Sequence, residues 1–210
     1  MNISDPRSSS WPFGHLRMFG YGAILADPPW AYVMRSDKGY TKSPECHYST
    51  MSHEELCSLP VGQLASGDCL LVMWSTWPHL EQAMAVMAAW GFTFKTGGAW
   101  IKRTTTGKAA FGTGYLLRSA SEPFLVGTIG NPSITSRSER NVIEPADPEA
   151  FPPLIDAERR EHSRKPAEMR AMIERLLPNA FACELFAREP WPGHDVWGNE
   201  TEKFSNPEAA

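Results

Sequence analysis

Apolar and polar positions along this chain fall into short strand-like runs separated by helical repeats and turn formers. Gly22 to Ala26 is a continuous apolar run bounded by breakers, the pattern of a strand covered on both faces. Ser52-His53-Glu54-Glu55 has the capping-box form and predicts a short helix anchored by Leu56 and Leu59 and stopped by Pro60. Gly67-Asp68 then turns into Cys69 to Trp74, a second buried strand. From Pro78 to Trp90, Leu80, Ala83, Met84, Met87, Ala88 and Trp90 recur at helical spacing up to Gly91, a stripe read as core packing. Phe92 to Lys102 is strand-like but broken by Gly97-Gly98, and Glu122 to Thr128 supplies another strand. Lys165-Pro166 opens a helix with proline at its first position, and Met169, Met172, Ile173, Leu176 and Leu177 form its apolar face. Phe181 to Phe186 is the last buried strand. The alternation predicts an α/β fold, a mostly parallel sheet with helices on both faces, in one domain over residues 15–204 after a loosely ordered lead-in of residues 1–14.

Three interruptions stand out against that pattern. The loop from Ala31 to Pro44 hangs from Trp30 without any period, and Gly130 to His162 is a long connection without structure of its own. Both are expected to be the most mobile parts. Glu184 places a carboxylate inside an apolar strand, which is costly unless something binds it.

Length and composition narrow the class. The chain has 210 residues, enough for one well-buried core and not for two large ones. No apolar run approaches the ~20 residues of a membrane span, and the start MNISDPRSSSWPFG lacks a signal-peptide core, so a cytoplasmic protein with no membrane partner is expected. The cysteines, Cys46, Cys57, Cys69 and Cys183, form no C-x-x-C pair. Cys46-His47 beside His53 and Cys57 fits no zinc spacing, so reduced thiols and no metal are expected. A net charge of −4 argues against a general basic field for holding nucleic acid. It leaves room for a local rim of Lys102, Arg103, Lys108, Arg118, Arg137, Arg140, Arg159, Arg160, Arg164 and Lys165, each of which also reads as a solvated loop charge.

The chemistry begins at Asp27-Pro28-Pro29-Trp30. Asp27 ends the first strand, and the two prolines lack N–H donors and fix φ, so the turn is expected to present carbonyls that nothing local claims. A carboxylate, a carbonyl and an indole within four residues suit a planar group bearing an NH2, such as adenine or cytosine. In open α/β sheets ligands bind beyond the carboxyl ends of strands. Glu184-Leu185-Phe186-Ala187-Arg188 and Ser163-Arg164-Lys165-Pro166 are further segments of that kind.

With these segments, Tyr48-Ser49-Thr50-Met51-Ser52, Arg118-Ser119-Ala120-Ser121-Glu122-Pro123-Phe124-Leu125-Val126-Gly127 and Trp197-Gly198-Asn199-Glu200 follow in one order. Together they resemble the MT-A70-like adenine-N6 methyltransferases of small microbial or phage type, over roughly residues 22 to 200. The base-gripping motif precedes the cofactor strand, which resembles the permuted, β-class order. The resemblance implies a Rossmann-like methyltransferase fold, S-adenosylmethionine as cofactor, and N6 methylation of adenine in nucleic acid, DNA first and RNA second. It also implies a monomer or a dimer with a related subunit. The alternative is a non-catalytic nucleic-acid-binding subunit, while an enzyme for free nucleotides would methylate dAMP without a polymer.

Residue by residue, the resemblance makes Asp27, Pro28, Pro29 and Trp30 the catalytic motif. Asp27 and the Pro28 carbonyl would take the two N–H groups of adenine N6 and aim its lone pair at the methyl. Trp30 and Tyr48 would offer faces to a base taken out of its stack, with Tyr48 also readable as core. Glu122 matches an acid near the target base, or caps the strand that follows. Lys165 matches the contact to the methionine carboxylate of the cofactor, and Ser163 either orients the Lys165 loop or caps its helix. Phe186 lies with Glu184 and Arg188 on the cofactor segment; Arg188, Asn199 and Glu200 match positions that hold the cofactor's ribose and adenine. Glu184 matches the acid of the cofactor strand, or answers an arginine. Two departures from relatives are the insertion Glu144 to Asp156 and Pro190-Trp191-Pro192, where relatives are often basic.

Overall fold

The computed structural model describes residues 11–31, 50–103, 107–110, 112, 114, 116–144 and 164–203. Tyr48, Ser163, Cys46, His47, Arg159, Arg160, residues 32–44 of the first loop and residues 145–156 of the insertion lie outside them. The described elements are β1 (Tyr21–Ala26), α1 (His53–Ser58), a 3-10 turn (Val61–Gln63), β2 (Ala65–Trp74), a second 3-10 turn (Trp77–His79), α2 (Leu80–Ala89), β3 (Thr93–Ile101), β4 (Ser121–Ile129), β5 (Val142–Ile143), α3 (Glu168–Leu176), β6 (Ala182–Leu185) and β7 (Asp195–Trp197).

The strands form one seven-stranded sheet in the order β5-β3-β4-β2-β1-β6-β7. β1 is parallel to β2 and β6, β6 to β7, and β3 to β5. β4 pairs antiparallel with both β2 and β3, so it alone runs against the others. Side chains alternate across the sheet. Ile24, Ala26, Leu71 and Met73 face a core with Leu56 of α1 and Ala83, Val86 and Met87 of α2. Ala23, Leu25, Leu70 and Val72 face the other core, with Met169, Met172 and Ile173 of α3. The helices are few, but they cover both faces.

Local rules explain most of these elements. The capping box at α1 is complete: Ser52 Oγ accepts the Glu55 N–H at 3.2 Å, and Glu55 Oε2 accepts the Ser52 N–H at 2.7 Å. Trp90, just past α2, donates its indole N–H to the Leu56 carbonyl at 2.7 Å and ties the two helices together.

Other boundaries differ from the sequence reading. β2 begins at Ala65 rather than Cys69, because Ala65 pairs with Tyr21 across a register shift. The packed chain begins before residue 15, since Phe13 is fully buried and its ring meets Trp197 edge-on at 5.1 Å. Pro166 precedes the helix; α3 starts at Glu168 with Ala167 as its cap. The Gly130–His162 connection carries a short strand, β5, and the tail carries another, β7, so β6 is not last. Gly97-Gly98 does not break β3. These glycines let backbones approach: a Cβ at Gly98 would run into the Asn141 carbonyl and the Phe124 ring.

Gly98→Ala is therefore expected to destabilise the protein by ~2 kcal/mol through overpacking at the β3–β5 seam. Urea denaturation checks this, and an unchanged midpoint would contradict the packing described.

Candidate active site

The reversal of β4 decides what meets at the functional edge. At the edge where β1, β2, β3, β6 and β7 present their carboxyl ends, β4 presents its amino end. Asp27 after β1, Lys102 after β3, Phe186 after β6 and Gly198 after β7 thus share an edge with Ser121 and Glu122 at the start of β4. Lys165, 138 positions from Asp27 in sequence, reaches the same point from the segment leading into α3.

Lys165 Nζ lies 2.8 Å from Asp27 Oδ2 and 2.9 Å from Glu122 Oε1. Lys102 Nζ lies 2.7 Å from Glu122 Oε2. The Asp27, Glu122 and Lys165 side chains are 19%, 13% and 17% exposed, so water screens these charges weakly. Burial is the largest influence on each. At Asp27 it pushes the carboxyl above its ordinary 3.8; Lys165 pulls it back, and the Glu122 charge adds to the rise. At Glu122 burial also pushes upward, but Lys165 and Lys102 together outweigh it and hold the carboxyl down at about 2. Burial acts to lower Lys165, yet its two carboxylates keep the ammonium charged well above its usual range. One cation therefore serves two acids of unequal character, one held below its ordinary range and one shifted above it.

The Asp27-Pro28-Pro29-Trp30 turn differs from its sequence reading in two respects. Its carbonyls are claimed: Pro28 O accepts the Trp30 N–H at 2.9 Å, and Pro29 O accepts the Met51 N–H at 3.0 Å. Each carbonyl has a second lone pair, so the Pro28 oxygen can still accept from a ligand. Trp30 does not offer an open face. It is 6% exposed, donates its indole N–H to the Trp74 carbonyl at 3.3 Å, and stacks on His79 at 5.8 Å. His79 in turn approaches the Ala31 carbonyl through Nε2 at 3.0 Å and Thr76 Oγ1 through Nδ1 at 2.7 Å. Trp30 is the anchor that fixes the turn beneath Asp27.

Beside Asp27 a hollow opens at the ends of β1 and β6, lined by Asp27, Trp74, Arg164, Lys165, Glu184, Phe186, Arg188 and Glu189 among others. Phe186 has φ 63°, an unusual backbone for a bulky residue at the end of a strand. Glu184, 8% exposed, is answered by Arg170 Nε at 2.7 Å, and burial still pushes its carboxyl up to about 7 against that partner. Arg170 also donates to the Pro190 and Glu189 carbonyls at 2.8 and 3.1 Å and lies over the Trp191 ring, so Pro190-Trp191-Pro192 is a clamp on α3. Arg188 binds Glu200 Oε2 through Nε and Nη2, each at 3.1 Å, while Asn199 is exposed. A Cβ at Gly198 would stand 2.5 Å from the Ala187 carbonyl, which explains glycine there.

The basic rim is largely engaged internally: Lys102 and Lys165 in the cluster, Arg103 with Glu144, and Arg164 with Glu189. Sequence reasoning passed over Lys102 as one rim charge, and missed His79, Arg170 and Trp74. Lys102 becomes legible only once β4 is known to run backwards. Among the described residues no His, Cys, Asp or Glu group has the arrangement of a metal site, and no helix is long and apolar enough to cross a membrane.

Residues 21–200 match the family described as MT-A70. The chain belongs to the MT-A70 family. Among its relatives, an N(6)-adenosine-methyltransferase MT-A70-like protein of Arabidopsis thaliana is 34% identical over 174 residues, 80% of this chain and 22% of that protein. The type II methyltransferase M.MunI of Mycoplasma sp is 32% identical over 195 residues, covering 86% of this chain and 77% of its relative. The N(6)-adenine-specific methyltransferase METTL4 of Mus musculus is 26% identical, with 89% of this chain covering 38% of that protein. The chain thus spans about a fifth of the plant protein and most of the Mycoplasma one. The residues that match the MT-A70 family include every residue named at this edge, from Asp27 to Glu200.

The Glu122 pairing has a measurable sign. Its folded pKa of about 2 lies below the ordinary 4.5, so its contribution to stability is complete above 4.5 and is lost as pH falls through about 2. Asp27, shifted upward, contributes with the opposite sign. Lys102→Met removes one of the cations on Glu122, so the variant should be less stable than wild type at pH 7. The gap should close as pH falls from 4.5 toward 2. Urea unfolding at a series of pH values reads it, and a gap independent of pH would contradict the pairing.

Proposed function

We propose that this protein transfers a methyl group from S-adenosylmethionine to the exocyclic N6 of adenine in DNA, on a Rossmann-like methyltransferase fold. The observation that carries the reading is the desolvated Asp27 carboxylate at the end of β1, with Lys165 on Oδ2 and no hydrogen bond to Oδ1 among the described residues. S-adenosylmethionine is positive at sulfur and zwitterionic at its methionine end. The hollow beside Asp27 matches that chemistry with cations at Lys165, Arg164 and Arg188, anions at Asp27 and Glu189, and the Phe186 ring. Trp74 lines the same hollow, and its buried indole N–H has no partner among the described residues. An ammonium has three N–H donors, and Lys165 uses two on Asp27 and Glu122, leaving a third for a carboxylate.

When bound, the cofactor supplies an electrophilic methyl group. The chain's own residues supply the rest. Asp27 accepts one N–H of the adenine amine, which localises a lone pair otherwise delocalised into the ring, and the second lone pair of the Pro28 oxygen takes the other. The proton the amine sheds after methylation goes to Asp27, whose raised affinity for a proton suits it to that step. Trp30 and His79 keep the turn in place beneath the carboxylate. Direct transfer to the amine would need no covalent nucleophile on the protein.

DNA is the first substrate by resemblance to the small members of the family, and the Mycoplasma relative matched over 77% of its length supports it. RNA is the second, because the Arabidopsis relative is named an adenosine methyltransferase. A non-catalytic binding subunit is disfavoured by the intact Asp27 and Lys165.

Asp27→Ala should leave binding of radiolabelled S-adenosylmethionine within a few-fold and lower transfer by about a hundred- to a thousandfold. Unchanged turnover would remove Asp27 from catalysis. A base-resolved assay offering duplex DNA, single-stranded DNA and RNA side by side tests the substrate; N6-methyladenine in the DNA arms is expected, and product in RNA alone would reverse the order.

A further inference from the structure

Trp77 is half exposed, 50%, at the functional edge, so a large part of its indole is open to solvent. Its position is nevertheless fixed. It begins the 3-10 turn Trp77–His79, whose last residue is buried and stacked on Trp30, so the turn is built onto the Asp27-to-Trp30 motif itself. From the other side, Trp77 donates its indole N–H to Ser121 Oγ at 3.1 Å. That bond engages the N–H on the ring's edge rather than a ring face, so it does not itself cover a stacking surface. No other ring among the described residues stacks on it.

The anchor says which partner. Ser121 and Glu122 are consecutive in β4, so their side chains point to opposite sides of the sheet. Glu122 belongs to the Lys165–Asp27 side; Trp77, held by Ser121, stands across the strand edge from it. A base whose amine meets Asp27 is therefore not the base that lies on Trp77.

We propose that Trp77 stacks on a base neighbouring the target adenine, so that the substrate is a polynucleotide strand drawn across this edge rather than a free nucleotide. The inference rests on the methyl transfer to adenine proposed above. Stacking on a pre-fixed indole tolerates any base, because every base presents a π face, and it restrains few rotatable bonds. Trp77 thus acts as a substrate-positioning residue, setting how the strand is held while Asp27 handles the amine.

The test uses fluorescence anisotropy with a labelled single-stranded oligonucleotide containing one adenine, and with two versions in which the preceding or the following base is abasic. Proteins are wild type, Trp77→Ala and Trp77→Phe, with thermal midpoints measured to confirm folding. Trp77→Ala should weaken binding of the intact strand about tenfold, and Trp77→Phe should retain most of the affinity. Wild type should lose a similar factor on one abasic strand, and Trp77→Ala should lose nothing further on that strand. In the methylation assay KM should follow Kd, with kcat changing much less. Equal binding by wild type and Trp77→Ala, or losses from the variant and the abasic site that simply multiply, would overturn the inference. If wild type binds with the expected coupling but never methylates adenine, the proposed function fails and the stacking stands. If wild type methylates adenine and Trp77→Ala binds equally well, the stacking fails and the function stands. Absence of any oligonucleotide binding by wild type overturns the stacking, and the duplex arm of the methylation assay then decides the function by itself.

Discussion

The Lys165 ammonium, held between Asp27 and Glu122, is the contact on which the arrangement of the functional edge depends. Two carboxylates brought together with so little water would otherwise repel, and at least one would have to protonate. A single cation makes their approach tolerable, and Lys102 adds a second on the far side of Glu122. The result is asymmetric. Glu122 has two cations and stays ionised, whereas Asp27 shares one and is left with a raised affinity for a proton. That asymmetry separates a fixed negative charge from a group that can accept the proton of a reacting amine.

The sheet supplies the geometry that makes such a cluster possible. Had β4 run with its neighbours, Glu122 would lie at the opposite end of the sheet from Asp27. Because β4 runs against them, its first residues join the carboxyl ends of β1, β2 and β3. On the other side of β1, Arg170 neutralises Glu184 and ties α3 to the β6–β7 segment, so the wall of the hollow is also held by a buried ion pair. Trp30, stacked and hydrogen-bonded inside the core, keeps the turn carrying Asp27 from relaxing away from Lys165.

Much of this was legible in the sequence, and the parts that were not share a physical cause. β1, the capping box at Ser52 and the apolar face of α3 follow from local pattern, and the structure contains each of them; in α2 the stripe read as core is only partly so, because Ala83, Met87 and Trp90 are buried together with Val86 while Met84 and Ala88 face solvent. Asp27, Glu122 and Lys165 could be singled out by resemblance, and their side chains meet. What the sequence left hidden depends on long-range pairing. The Gly97-Gly98 pair reads as a break until Asn141 and Phe124 are seen to need the space. The Pro28 carbonyl looks unclaimed until the Trp30 N–H folds back onto it, and the Trp30 indole looks open until His79 covers it. Glu184 carried both readings, and Arg170, fourteen positions earlier in sequence, supplies the partner.

The most direct measurement is a pH titration of the carboxyl carbons of Asp27 and Glu122 by carbon-13 NMR, assigned with Asp27→Asn and Glu122→Gln. The account predicts that the two part company, Glu122 titrating near 2 and Asp27 above 3.8. Glu122 titrating at or above 4.5, or Asp27 below 3.8, would mean that Lys165 does not divide the two acids in this way, and the chemistry assigned to Asp27 would lose its basis.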